Sequence, residues 1–314
     1  MHSKLRWVNA QLHNHSTHSD GGGTPAQVVE TLAARGAQCI ALTDHNAVSG
    51  IPELYAACAE RGLLAVGGTE VTTFYGHVVA LGVHEYIDWR YYSPMDPESI
   101  FADIHARGGL AGVAHPIRIG YPLVPSCAWL FKAPDFSRFD YIELLNTGDS
   151  KHSRNDLVMD MWLGALRAGH LHLTATSGLD YHSCPWQGDE FVTWLGLADS
   201  AFNEAAALQA IKCGRVILCK NALIDISITD ADGKRYEPGD HLPTGALTLH
   251  IAPDAEYPAE ELTLTVEDQS GRHLLGAHRA SLDVSFIDRF AVVCVYRGAP
   301  DFQNMIAVSN PFLR

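Results

Sequence analysis

From residue 7 to about residue 220, short apolar runs alternate with stretches patterned as helices. The runs are WVNAQLH, CIALTDH, LLAVGGTE, GLAGVAHP, YIELLN and LHLTATSGLD, and each closes on polar or metal-capable residues. Between the first two lies TPAQVVETLAARG, which reads as a helix with Thr24 as N-cap and Pro25 in the first turn. Val28 and Leu32 share one face of it, and Gly36 closes its end. Such strand–helix–strand units, repeated, predict a parallel sheet, on which ligands sit beyond the carboxyl ends of the strands. After residue 220 the pattern changes. ALIDISITDADGKRY, GALTLHIAP, ELTLTVEDQSGRHLL, SLDVSFI and FAVVCVYRG alternate apolar and polar positions between turn signals such as DADG and DQSG. This predicts a small antiparallel β-sandwich over 221–314 beside an α/β domain over 1–220. No low-complexity linker separates them, so rigid packing is expected.

The stretch HNHSTHSDG raises the chemical question. In extended backbone the side chains of His13 and His15 point to one face, close enough to share an ion. Thirteen of the 17 histidines precede residue 220, which concentrates them in the strand–helix part. The strand-end set is His13, His15 and Asp20, then Asp44 and His45, Glu70, His77, His115, and Asp180 with His182. Mixed imidazole and carboxylate ligands suit Zn, Mn or Fe. The set exceeds what one ion needs, so two or three divalent ions with a bridging carboxylate are expected. His77 begins an apolar run instead of ending one; a hairpin through TTFYG would return it beside Glu70.

Charge narrows the partners. A formal net charge of -14 without a Lys/Arg block argues against a long nucleic acid, whose binding needs many neutralised phosphates. A small anion held at a local metal centre is the expected partner. The opening MHSKLRWVNAQ has no apolar run of signal-peptide length, and no run of about 18 apolar residues suggests a membrane span, so a soluble cytoplasmic protein is expected. Seven scattered cysteines without a CxxC pair read as reduced thiols, not as a disulfide or cysteine–zinc framework. No GxSxG and no Walker loop is present.

In order and spacing, HNHSTHSDG, TDHN, GTEVTTFYGHVVALG, AHP and GLDYH resemble, over roughly residues 10–185, the motifs of the PHP (polymerase and histidinol phosphatase) metal-dependent phosphoesterases. CGRVILCKNALI and IAVSNPF are similar to the CehA/McbA-like metallohydrolases of that superfamily. The resemblance implies a distorted (β/α)7 barrel with up to three metals at its mouth. It assigns His13, His15, Glu70 and Asp180 to one ion, Asp20, His45 and His182 to a second, and Glu70, His77 and His115 to a third, with Glu70 bridging. Glu70, Asp180 and His182 are the expected catalytic residues, and Asp44 a structural residue or one that supports a ligand from behind by orienting an imidazole. The implied reaction is attack of a metal-bridging hydroxide on a small phosphate mono- or diester. A carbamate or carboxylic ester hydrolase on the same site is the alternative, and a non-catalytic metal-binding scaffold a second.

Arg118, three residues past His115, is the expected substrate contact, ahead of Lys151, His152 and Arg154; taken singly, each reads more readily as exposed loop charge. Glu143 and Asn146 are placed at the same mouth, although a strand carboxylate equally satisfies a loop amide. His18, His105, His170 and His172 are left outside the ligand set, and the C-terminal part is read as support.

Overall fold

A computed structural model describes residues 5–120, 124–132, 135–147, 153–183, 190–199, 201–253, 257–277 and 281–314. Strands β1 (Leu5–Gln11), β2 (Cys39–Leu42) and β3 (Leu64–Thr73) are parallel, joined by helices α1 (Pro25–Ala33) and α2 (Ile51–Glu60). The sequence at the start of α1 dictates the geometry. Thr24 accepts the Gln27 N–H and the Gln27 side chain accepts the Thr24 N–H, a reciprocal cap worth about 1 kcal/mol. Val28, Val29 and Leu32 of α1 then pack with Ile40 and Leu42 of β2 and with Leu54 and Cys58 of α2.

The parallel order breaks at the next connection, where the TTFYG hairpin forms. β3 folds back into β4 (Gly76–Leu81), which pairs antiparallel with it and with β5 (Leu110–Val113). The physical reason is the length of TTFYG: a parallel return needs a dozen or more residues, whereas a tight turn gives a hairpin. Gly76, at φ +145°, takes the backbone position that closes it. Helix α3 (Glu98–Ala106) precedes β5. β6 (Tyr141–Asn146) and β7 (Thr174–Gly178) then restore the parallel direction, with α4 (Asn155–Arg167) between them. Among the described residues no α-helix lies between β5 and β6.

β8 (Phe191–Ala198) runs antiparallel to β1 on its other side, and its Thr193 Oγ1 accepts the Ser177 N–H of β7 at 2.9 Å. The strands that start at β1 thus return to β1's neighbour. α5 (Glu204–Lys212) leads to β9 (Val216–Lys220), antiparallel to β8. Nine strands follow: β10 (Asp225–Asp230), β11 (Arg235–Tyr236), β12 (Leu247–Ala252), β13 (Leu262–Asp268), β14 (Gly271–Ala277), β15 (Leu282–Asp283), β16 (Phe290–Arg297), β17 (Met305–Ser309) and β18 (Phe312–Leu313).

These strands are antiparallel in pattern, but their partners differ from a free-standing unit. β17 pairs with β9, so β14, β13, β16 and β17 extend the sheet that carries β8 and β1. β10, β11, β12 and β15 form a separate four-stranded sheet. Ile226, Ile228 and Leu249 of that sheet meet Leu264, Val266, Val293 and Val295 of the long one in a shared core. Arg167 at the end of α4 donates to Glu267 Oε2 at 2.8 Å and to the Asp268 carbonyl at 3.1 Å, tying the two parts together. Among the described residues no helix is long and apolar enough to cross a membrane.

Candidate metal centre

β1, β2, β3, β5, β6 and β7 point the same way, so the residues at or just past their carboxyl ends meet at one end of the molecule. β1 delivers His13 and His15, β2 delivers Asp44 and His45, β5 His115, and β7 Asp180 and His182. Glu70 lies within β3, and the TTFYG hairpin sets His77 opposite Thr72, with its Nδ1 2.9 Å from Glu70 Oε1. Asp20 arrives on the loop after His15, where Gly21 is required because a Cβ there would strike the His15 carbonyl.

All nine expected ligands come together, in three overlapping groups. His13, Glu70, His115 and Asp180 form a fully buried group; His15, Asp20, His45 and His182 form a partly open one; His45, Glu70 and His77 form a third. Within each group one ligand atom per residue lies within 4.8 Å of the others. These groups overlap with the expected ones: His15 Nε2 also lies 3.1 Å from Asp180 Oδ1 and 3.3 Å from Glu70 Oε2, and His115 Nε2 and His77 Nδ1 both approach Glu70 Oε1, at 3.3 and 2.9 Å. His15 stacks between His45 and His182, with centroids 4.3 and 4.1 Å away.

The donor set itself tests whether cations fit. His13 Nδ1–H donates to Glu143 Oε1 at 2.8 Å, His115 Nδ1–H to the Cys127 carbonyl at 2.8 Å, and His182 Nδ1–H to the Asp180 carbonyl at 2.9 Å. Each Nε2 is then left with a lone pair. The His13 Nε2 faces Glu70 Oε2 at 3.2 Å, Asp180 Oδ1 at 3.4 Å and His15 Nε2 at 3.1 Å. The His115 Nε2 faces Glu70 Oε1 at 3.3 Å, and the His182 Nε2 faces Asp20 Oδ1 at 3.2 Å. Glu70 Oε2, His77 Nε2 and His15 Nδ1 are buried without a hydrogen-bond partner. Lone pairs aimed at lone pairs in a water-poor site need positive charge between them, and nitrogen and oxygen donors of this mix suit borderline divalent ions.

The titration directions carry the same message. Burial disfavours charge on His13, yet Glu70, Glu143 and Asp180 outweigh it and raise its pKa well above the usual value. His15 is likewise pushed against its burial to about 9, by Asp180 and Glu70. Burial favours a neutral Glu70, but His13, His45 and His77 hold it well below the ordinary carboxylate range. Asp180 is lowered in the same manner, chiefly by His13 and His15 against its burial. For His77 and His182 burial prevails and the pKa falls. Protons fill the anionic centre where cations would otherwise sit.

Three neighbours have partners of their own. Asp44 takes the structural role, on a loop and not on an imidazole. Its carboxylate accepts the Ser16 N–H, the Ser16 hydroxyl and the Ser19 hydroxyl, each at 2.7 Å, and so shapes the loop that presents Asp20. Arg118 is one-fifth exposed and its guanidinium donates to Asp180 Oδ2, so it stands at the mouth on the carboxylate of an expected ligand. Arg154 makes a two-pronged pair with Asp156 at 3.0 and 2.9 Å instead of facing the mouth; a carboxylate two residues away captures it. Lys151 and His152 lie outside the described residues. His18 is exposed against Ser49, and His105 against Asp140.

Sequence reasoning gave too little weight to Glu143 and passed over Thr72. Thr72 Oγ1 lies 2.5 Å from His45 Nδ1, and its signal was present: in β3 it shares the face of Glu70 by the period of two. Glu143 was visible as a carboxylate inside the apolar run YIELLN.

Comparison with known proteins places these residues. Residues 11–147 match the PHP domain family model. Over 80 residues, 24% of this chain, it is 43% identical to a 3',5'-nucleoside bisphosphate phosphatase of Chromobacterium violaceum, of which the match covers 28%. Over another 80-residue match it is 38% identical to a phosphoribosyl 1,2-cyclic phosphate 1,2-diphosphodiesterase of Eggerthella lenta, covering 30% of that protein. The chain therefore spans less than a third of the length of these curated relatives. The crystal structure of a two-domain protein containing a predicted PHP-like metal-dependent phosphoesterase, from Bacteroides vulgatus, aligns over 98% of this chain and 96% of its own at TM-score 0.57 and 14% identity, a likeness of fold. Through residues 11–147, the stretch that holds His13 to His115 and Glu143, this chain carries a PHP domain.

Proposed function

We propose that the protein is a metal-dependent hydrolase of small phosphate mono- or diesters. The observation that carries this reading is the convergence of nine imidazole and carboxylate side chains whose lone pairs face one another at one end of the fold. The names of the two curated relatives support it, since both act on small phosphate esters. His13, Glu70, His115 and Asp180 would hold one divalent ion, His15, Asp20, His45 and His182 a second, and His45, Glu70 and His77 a third, of Mn, Zn or Fe. Such ions supply water of lowered pKa and polarise phosphoryl oxygen.

The chain's own residues divide the remaining work. Glu70, with both oxygens among imidazoles, links the groups and keeps their separation fixed. Asp20 and His182, 58% and 34% exposed, form the open side through which a phosphate would enter. Arg118, already at the mouth on Asp180, offers further N–H donors to an anionic oxygen. His182, neutral at pH 7 because burial lowers its pKa, leaves Nε2 able to accept. This reading includes a (β/α)7-type barrel over 1–220 backed by a β-sandwich over 221–314, supported by the Ser177–Thr193 contact between β7 and β8 and by the separate inter-sheet core. It also includes a cytoplasmic site of action, for which the buried free thiols of Cys39, Cys58, Cys219 and Cys294 speak.

The test is to strip metals with chelator, restore Mn, Zn and Fe singly, and assay a panel of phosphate mono- and diesters beside aryl carbamates and carboxylic esters. Metal-restored phosphate release supports the proposal. Turnover confined to carbamates or carboxylic esters replaces it, and no turnover with any metal reduces the centre to a scaffold.

A further inference from the structure

Glu143 is a buried carboxylate, 3% exposed, that belongs to none of the three ligand groups. Its Oε1 accepts the His13 Nδ1–H at 2.8 Å; its Oε2 accepts the backbone N–H of His115 at 2.8 Å and the side-chain amide of Asn146 at 3.1 Å. Asn146 is held in turn by the Ser153 hydroxyl at 3.0 Å, and Asn155 at the start of α4 pairs with its backbone at 3.1 and 2.9 Å. The fold makes room for this side chain in two ways. A bulge between Glu143 and Leu145 inserts one residue into β6, so that Glu143 and Asn146, which differ in strand parity, face the same side. On β7 residue 178 is glycine, and a Cβ there would overlap the Glu143 carboxylate.

Both partners of Glu143 need outside support. The His13 ring has to present Nε2 to Glu70 and Asp180, which only its Nδ1-protonated form does. His115 sits at φ +28°, a conformation unfavourable for a residue with a Cβ, and persists because its surroundings over-determine it.

Building on the metal-centre reading, we infer that Glu143 is a positioning residue for the buried group alone. One carboxylate fixes the His13 ring through Nδ1 and the strained His115 backbone through its N–H, and thereby sets how tightly His13, Glu70, His115 and Asp180 hold a cation. Its hydrogen bonds reach no member of the open group among the described residues.

The experiment titrates metal-free wild type, Glu143→Gln and Gly178→Ala with Mn²⁺ by calorimetry, and records the visible spectra of the Co²⁺-loaded forms. Glu143→Gln keeps the shape and an acceptor for the His115 N–H but removes the charge behind His13. Gly178→Ala leaves every proposed ligand intact while displacing the carboxylate. In both variants one class of Mn²⁺ sites should weaken by about 10- to 100-fold, the range for an outer partner of a ligating histidine. The remaining classes should be unchanged, and only part of the Co²⁺ spectrum should shift. Equal weakening of all classes, or affinities like those of wild type in both variants, overturns the inference while leaving the metal centre in place. If Glu143→Gln does not fold, Gly178→Ala alone decides. Failure of wild type to bind Mn²⁺ or Co²⁺ overturns the inference and the metal-centre reading together.

Discussion

The centre has two unlike halves. His13, Glu70, His115 and Asp180 are all at most 8% exposed, each imidazole is anchored from behind, and His115 and Asp180 sit at φ +28° and +53°. In the other half only His15 is fully buried; Asp20, His45 and His182 have side chains 58%, 22% and 34% exposed. The difference teaches a division of labour. Buried, strained geometry is suited to retaining a cation, and an open, loop-borne set to exchanging one and admitting a phosphate.

Glu70 should abolish the distinction most completely, because it belongs to the buried group and to the third group with His45 and His77. Glu70→Gln is expected to lower metal content and turnover together, by more than the roughly 100-fold seen for outer partners, as read by elemental analysis beside a phosphatase assay. Asp44 supports the open half from beneath. Asp44→Ala strands the Ser16 N–H and should destabilise the fold by about 2–4 kcal/mol in urea titrations, with weaker cation binding in the open group only. Asp20→Asn should act on the open group alone and modestly, on the order of tenfold, because water and salt screen so exposed a carboxylate.

Proton linkage sharpens the contrast further. His13 is raised well above its usual value and His15 to about 9, so in the metal-free protein at pH 7 both carry protons. Cation uptake should release protons, measured by calorimetry in buffers of different ionisation enthalpy, and affinity should rise with pH through about 9, where His15 is half deprotonated. The sign for the metal-free fold is the opposite. The stability contributed by the raised His15 pKa is complete below the unfolded value of about 6.5 and is lost as pH rises through about 9, which thermal melts across that range would register.

Much of the site was legible because the chemistry sits at strand ends. His13, His15, Glu70, His115 and Asp180 each follow or interrupt an apolar run, and the TTFYG turn is short enough to imply the hairpin that brings back His77. Which nitrogen each imidazole offers was not legible, since it is set by distant acceptors: the Cys127 carbonyl for His115, Glu143 for His13. Glu143 itself depends on a bulge and on Gly178 of the next strand, neither of which the alternation of YIELLN reveals. The fold shows the same limit. β9 and β17 lie outside the segments that alternation marks as strands, and their pairing across about 90 residues rests on packing between sheets, which local pattern does not encode.

The most direct test of the two-half centre is anomalous diffraction from crystals soaked in Mn²⁺. The account requires one peak among His13, Glu70, His115 and Asp180 and another among His15, Asp20, His45 and His182, the first surviving a brief chelator wash and the second lost. Peaks at neither position, or a wash that empties the buried position first, would contradict it.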